Sequence, residues 1–374
     1  MSTETFLMAK YRVAIIGSTN RGNYGHGLAG PWQHLDSCEV VAVADEHEGG
    51  RAAAIKRSGA RSGYADYREM LAKEQPNIVA ICQRWIDRHH EMAMACAEHG
   101  CHIYMEKPFC PTLNQCDEII QACEMRHLKM AIAHNTRHSP VVRVVKGLIR
   151  DGRIGDVLEV RIRGKEDARR GGGEDLWVLG THMLDLAGML FGEVESCFAT
   201  VRESGERVSK KHVKPGNEGI GPLAGDHIQA TYQFRRGING FFASKRGSGG
   251  SPTRFGMTIV GSKGQIKLQS GYGRTAYILE DSSWSPGQTG SKWQPVTSNG
   301  VGKPETIADD SHDGGNTQAA IDLLSAIEND RQPLSSMYDA RAATEMIVSI
   351  FESHRLGMPV TLPLETRENP LTLL

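Results

Sequence analysis

Three short stretches carry the residue types that could do chemistry. Glu106-Lys107-Pro108 closes an apolar strand, Cys101-His102-Ile103-Tyr104-Met105, and the carboxyl end of a parallel strand is the rim where such sheets bind ligands. Gly180-Thr181-His182-Met183-Leu184-Asp185 lies in a segment with apolar positions at helical spacing. His182 and Asp185, three apart, share a helix face there. Hydride leaves a carbinol carbon only as the hydroxyl proton departs, a step suited to a histidine base. A nearby ammonium stabilises the developing alkoxide. The expected roles are His182 as base, Lys107 as cation, and Asp185 as orienter of His182 or acceptor from a substrate hydroxyl. The hydride acceptor itself must be a cofactor.

The third stretch points to that cofactor. Arg12-Val13-Ala14-Ile15-Ile16 runs into Gly17-Ser18-Thr19-Asn20-Arg21-Gly22. A dinucleotide fingerprint needs glycine for the tight turn, for approach of the pyrophosphate and for helix packing. Gly17 and Gly22 keep the first and third spacings, and Thr19 replaces the middle glycine. Its N–H and hydroxyl are expected to meet phosphate. Glycines at 25, 27 and 30 lengthen the turn before a helix expected near 25–35. Asp45 ends the second apolar run, 23 residues after Gly22, near the spacing at which a carboxylate reaches the ribose hydroxyls and repels a 2′-phosphate. NAD is therefore expected rather than NADP, with Arg51 the residue most able to undermine that preference. The bland alternative for Asp45 is a helix N-cap. Gly17, Thr19, Asn20, Arg21, Gly22, Asp45, His89, Glu106 and Lys107 form the expected cofactor set. No metal site is expected.

Apolar runs at 12–16, 40–44, 77–82, 101–105 and 130–133 read as strands buried on both faces. They alternate with helical segments at 48–59, 66–74, 87–99 and 112–126, with Asp87 and Thr112 as plausible N-caps. That order implies a doubly wound parallel sheet of the Rossmann kind. After a helical segment at 139–151, strands are expected at 156–165, 194–202, 225–235, 238–246 and 254–270, then helices at 315–328 and 337–356. Hairpin turns at Arg236-Gly237 and Ser262-Lys263-Gly264 make this second sheet largely antiparallel, with one open face. The expected division is 1–134, a dinucleotide-binding domain, and 135–374, an α+β domain for substrate binding and oligomerisation. Loops 164–178, 203–224 and 281–312 stand outside the elements. The basic middle loop reads equally as a substrate or oligomer contact and as a solvated insertion.

In a chain of 374 residues, 43 Lys and Arg balance 44 Asp and Glu, so nothing argues for nucleic acid or an anionic membrane. No run approaches a membrane span, and Met1–Leu7 lacks a secretory pattern. Eight scattered cysteines fit a reduced, cytoplasmic protein, with Cys110 and Cys116 the two worth testing for reactivity.

Together these residues resemble the Gfo/Idh/MocA oxidoreductase family over almost the whole chain. The resemblance rests on the Gly17 turn, His89 through Glu91, Gly100 and His102 to Glu106-Lys107-Pro108, Arg137-x-x-Pro140, Gly180-x-His182-x-x-Asp185, and the closing run Tyr338 to Leu364. It implies that Lys107 and His182 are the catalytic lysine and histidine, and that a homodimer or homotetramer forms through the open sheet. One departure stands out. The family commonly carries aspartate four residues before the histidine, and here that position is Val178. Glu174 or Asp175 is expected to take over, or substrate is handled differently. Trp177 offers either a stacking face for a sugar or core packing. Arg137, Glu174, Asp175 and Trp177 are thus the candidate substrate contacts. The leading expectation is oxidation of a secondary hydroxyl of a sugar, cyclitol or related polyol. The alternatives are a redox-neutral glycoside-cleaving enzyme that retains its NAD, and a non-catalytic sugar or nucleotide sensor.

Overall fold

The computed structural model describes residues 10–274, 276–307 and 312–374. The Met1–Leu7 segment and the end of loop 281–312 lie outside the described residues. Six strands, β1 (Tyr11–Ile16), β2 (Cys38–Ala44), β3 (Ser62–Tyr64), β4 (Ile78–Ile81), β5 (His102–Met105) and β6 (Met130–Ile132), form a sheet in the order β3-β2-β1-β4-β5-β6. Every ladder in it is parallel. Alternate residues of β1 feed two cores. Ala14 and Ile16 pack with Met70, Met92 and Cys96, and Val13 and Ile15 with Leu28, Trp32 and Leu323. This two-sided burial is why the strands read as unbroken apolar runs. The edge strand β3, Ser62-Gly63-Tyr64, has no such run and gave no signal.

Helices α1 (Glu48–Ser58), α2 (Tyr67–Glu74), α3 (His89–Glu98) and α4 (Leu113–Glu124) fall where the periodicity put them. Thr112 caps α4 by accepting from Gln115 N at 3.3 Å. Asp87 does not cap α3; it lies in a 3-10 turn, Ile86–Arg88, and pairs with Arg21. The helix expected near 25–35 is also absent. Gly25 and Gly27 take φ of 59° and 91°, and Gly30 leads into Pro31 and a four-residue 3-10 turn, Pro31–His34. That face of the sheet is covered instead by the distant helix His312–Glu328, whose Ala319, Ala320 and Leu323 pack with Leu28 and Trp32.

Beyond α5 (Pro140–Arg150) the second sheet is mixed. Val157–Arg163 runs parallel to Ile238–Lys245, and its other ladders are antiparallel. The stretch 254–270 is the hairpin expected from its Ser262-Lys263-Gly264 turn, Gly256–Gly261 against Gly264–Gln269. Ala276–Leu279 adds a further strand, and Gln294–Thr297 and Gly300–Val301 extend the sheet into the loop expected at 281–312. One face packs on Thr181–Phe191 and the long helix Met337–Leu356, with Phe242 and Phe351 buried. The other leaves Phe198, Phe241 and Tyr277 exposed. The chain then returns to the first sheet, where Ser335 Oγ donates to the Ile132 carbonyl at 2.7 Å. None of the described helices is long and apolar enough to cross a membrane.

Candidate active site

Because β4 and β5 pair through Ile81 and Met105, Glu106 and Lys107 follow at the carboxyl edge, beside Gln83 and Arg84. Lys107 is 4% exposed, and its Nζ donates to the Val178 carbonyl at 2.8 Å. Burial lowers its pKa; Glu106 and Glu218 oppose that, and Arg170 and Arg84 add to it. Val178 sits in a π-helical turn, Leu176–Gly180, that continues into the helix Thr181–Phe191. His182 lies four residues further, about one turn along that path. An amine from the first sheet is thus anchored one turn away from an imidazole of the second domain.

Asp185 does not orient His182. Its Oδ2 accepts from Arg137 Nε at 2.7 Å, and its Oδ1 lies 3.2 Å from His134 Nδ1. Burial raises the pKa of Asp185, but Arg137 and His134 outweigh it and take it down to about 2. Arg137 also pairs with Asp339 at 3.1 Å and donates to the Leu334 carbonyl. Asp185 and Arg137, expected near substrate, therefore form a buried clamp onto the C-terminal segment. One neighbour of His182 is His134, whose ring meets it edge-on at 5.6 Å between centroids. His134 Nε2 lies 3.1 Å from Thr181 Oγ1.

Glu106 is fully buried. Its Oε1 accepts from His26 N and faces His26 Nδ1, both at 2.7 Å, and its Oε2 accepts from Lys107 N at 3.0 Å. Burial raises its pKa, yet His26 and the Lys107 ammonium prevail and hold it at about 2. His89, expected at the cofactor, is turned inward. Its Nδ1 lies 2.9 Å from the Pro108 carbonyl and its Nε2 2.7 Å from the Gln83 carbonyl. It ties the turn after β4 to the turn after β5. His90 faces Glu118 of α4 at 2.6 Å.

At the end of β1, Ser18 and Asn23 pair across a turn that holds Thr19, Asn20, Arg21 and Gly22. Thr19 turns inward rather than toward phosphate: its hydroxyl and N–H donate to Asp45 Oδ2 at 2.7 and 3.1 Å. Asp45 Oδ1 accepts from His47 N at 2.9 Å, and Arg51 donates to the Asp45 carbonyl. The α1 cap is His47, not Asp45. Asn20 N donates to Asn23 Oδ1, and Arg21 stacks on Trp85. Both fingerprint glycines are sterically required. A Cβ on Gly17 would meet the Tyr24 ring at 2.3 Å, and one on Gly22, at φ 86°, would meet Arg84 Cβ at 2.8 Å. Around this rim Gln83 Oε1, Arg84 Nε and Arg21 Nε are buried with no hydrogen-bond partner among the described residues. Unserved polar atoms at the carboxyl edge fit a polar dinucleotide, which the Gly17–Gly22 turn, Asp45 and the Glu106–Lys107 edge would hold.

The model of an oxidoreductase family with an NAD-binding Rossmann fold matches residues 11–134, and the model of the family's C-terminal alpha/beta domain matches 146–362. The chain belongs to the Gfo/Idh/MocA oxidoreductase family. It is similar to D-apiose dehydrogenase of Paraburkholderia graminis, 29% identical over 203 residues that make up 52% of this chain and 53% of that protein. It is also similar to levoglucosan dehydrogenase of Pseudarthrobacter phenanthrenivorans, 25% identical over 354 residues, covering 82% of this chain and 88% of that protein. Among solved structures, levoglucosan dehydrogenase in complex with NADH and L-sorbose superimposes with a TM-score of 0.76 at 22% identity, over 95% of this chain and 100% of that one. The last likeness is one of fold.

Against the family pattern, neither carboxylate expected to replace the missing aspartate reaches Lys107. Asp175 is buried, accepts from the backbone of Lys165 and Glu166 and from Ser244, and has its pKa raised by burial. It fixes the turn at 164–166. Glu174 accepts from Asn217 at 2.7 Å. Trp177 is core, 1% exposed. The lysine meets a main-chain carbonyl at this position instead. All eight cysteines are free and buried, and burial pushes the Cys110 thiol well up, which removes the reactivity considered for it. Sequence reasoning missed His26, His134, Arg84, Arg170 and Glu218. Only His134, three residues before Arg137 in a recognised motif, left a usable signal.

Proposed function

We propose that this protein is an NAD-dependent dehydrogenase that oxidises a secondary hydroxyl of a sugar, cyclitol or related polyol. The observation that carries the reading is the Lys107–Val178 bond, which holds a buried ammonium one turn from His182. His182 takes the hydroxyl proton, Lys107 steadies the charge left on oxygen, and His134 fixes the His182 ring. When bound, NAD accepts the hydride. The Asp45 carboxylate favours NAD over NADP. Gly17, Thr19, Asn20, Arg21, Gly22, Asp45 and Glu106 hold the nucleotide, those around Asp45 by shaping its turn. We take 1–134 as the nucleotide domain and 135–374 as the substrate and assembly domain. The exposed Phe198, Phe241 and Tyr277 support association of copies through the open sheet.

The test is reduced-nicotinamide formation across a polyol panel, with Lys107→Ala alongside. Turnover lost in the variant, with NAD binding retained, supports the reading. Silence across the panel, or an unaffected variant, sinks it. Release of an aglycone without net NADH would point to the redox-neutral alternative.

A further inference from the structure

Loop 203–224 is a strap. Lys214–Pro215 and Pro222–Leu223 pair as a short ribbon, and the ribbon's tip, Asn217–Gly219, crosses from the second domain onto the turn Ile86–Arg88 of the first. A Cβ on Gly219 would stand 2.6 Å from the Asp87 carboxylate. Asn217–Gly219 buries no side chain of its own, while Ile220 just after it joins the core cluster that contains Ile86. The tip's polar contacts are chiefly those of Glu218.

Glu218 places one carboxylate oxygen 3.0 Å from Arg170 Nη2 and 3.3 Å from Arg84 Nη2, with Arg169 at 4.0 Å. Arg84 belongs to the first domain and packs against Gly22 of the nucleotide turn. Arg170 belongs to the second, and Asn217 beside Glu218 donates to Glu174. Both arginines and Glu218 act on the charge of Lys107. Arg84 also follows β4 at the same carboxyl edge as Lys107, so these groups border the reacting end of the cleft.

Two features mark the contact as provisional. A carboxylate seated on a guanidinium fork bonds two nitrogens. Here all three contacts use the same Glu218 oxygen, and Arg84 Nε and Arg170 Nε stay buried without a hydrogen-bond partner among the described residues. Glu218 also holds φ at 58°, a left-handed conformation unfavourable for this residue type. An external carboxylate could serve the forks more fully and let the tip relax.

We propose that Arg84 and Arg170 form a carboxylate-binding fork for the substrate, that Glu218 fills it when substrate is absent, and that the substrate is therefore an acidic sugar or polyol. This rests on the dehydrogenase reading for its reaction, though not for its binding. When Glu218 leaves, Arg84 loses the carboxylate paired with it and Arg170 keeps only Glu174, 3.7 Å away, so an acidic ligand restores a charge that a neutral sugar does not.

The experiment is calorimetric titration of the NAD-loaded full chain with matched neutral and acidic ligands. The pairs are aldohexoses with their uronates and alditols with their aldonates, and a sugar phosphate forms a third arm. The uronate or aldonate of a binding pair should bind about tenfold tighter than its neutral partner, the scale of one charge-assisted hydrogen bond. Arg170→Gln should bring that ratio close to one. Glu218→Gln, at a loop position that should not impair folding, should tighten acid binding several-fold and leave the neutral partner unchanged; a merely structural Glu218 would weaken both. Absence of carboxylate binding, no acid preference in any pair, or stronger binding of the phosphate overturns the fork. Hydride transfer read on the same samples separates the two ideas. Acid binding without reduction of NAD leaves the fork standing and removes the dehydrogenase. Oxidation of neutral polyols with no acid preference does the reverse.

Discussion

Replacing Val178 by aspartate tests how this active site differs from the family pattern. Lys107 Nζ sits 2.8 Å from the Val178 carbonyl, and Val178 is 3% exposed. A carboxylate on that side chain would lie about 5 Å from the ammonium, where Coulomb's law at an effective dielectric of about 20 gives about 3 kcal/mol. That attraction favours the charged lysine by about two pKa units, against the lowering imposed by burial. The sign follows directly: activity that needs the ammonium is lost as pH rises through its pKa. In V178D the alkaline limb of kcat/KM should therefore move up by about two pH units. The new carboxylate enters an apolar cluster, so the melting temperature should fall as well. V178N, with similar volume and no charge, should share the loss of stability and not the shift. An alkaline limb that stays put in V178D, with the protein folded, refutes the assignment of Lys107 as the cation at the reacting centre.

Acid stability should depend on Glu106 and Asp185. Both titrate near 2 in the folded chain, against ordinary values of 4.5 and 3.8. Their stabilisation is present above the ordinary values and is lost as pH falls toward 2, about 3 and about 2 kcal/mol respectively. Denaturant melts across that window should show the slope, and E106Q should flatten it. D185N leaves Arg137 buried with Asp339 as its remaining carboxylate and should destabilise by about 3 kcal/mol; a thermal melt unchanged from wild type would remove the clamp. Gly50→Ala would ordinarily stabilise a helix by about 0.5–1 kcal/mol. Here its Cβ would stand 1.9 Å from Thr19 Oγ1. It should instead lower the melting temperature and weaken NAD binding in a fluorescence titration, by displacing Thr19 from Asp45.

Much of this protein was legible in its sequence. The continuous apolar runs of β1, β2, β4, β5 and β6 announce strands buried on both faces. A strand with one face in water would alternate apolar and polar residues, and the runs are too short and turn-bounded for buried helices. Period-two alternation and glycine turns announced the second sheet, and Thr112 announced its own helix. Lys107 could be placed at the sheet edge from its strand alone, since a strand's end is a local property. What local pattern does not encode is which partner a polar side chain meets. Asp185 and His182 share a helix face, yet Arg137 and His134, brought in by the chain after β6, claim the carboxylate first. His89 opens α3 at the carboxyl edge of the sheet, where a ligand residue would stand, but is taken up by three main-chain carbonyls. The missing first crossover helix is replaced by one from more than 280 residues away. Glu218 lies in a loop with no periodicity, and only the folding of one domain against the other sets its carboxylate between Arg84 and Arg170. Hydrophobic periodicity acts over a few residues and can be read from the chain. Charge pairing depends on which distant segments end up adjacent, and only packing settles that.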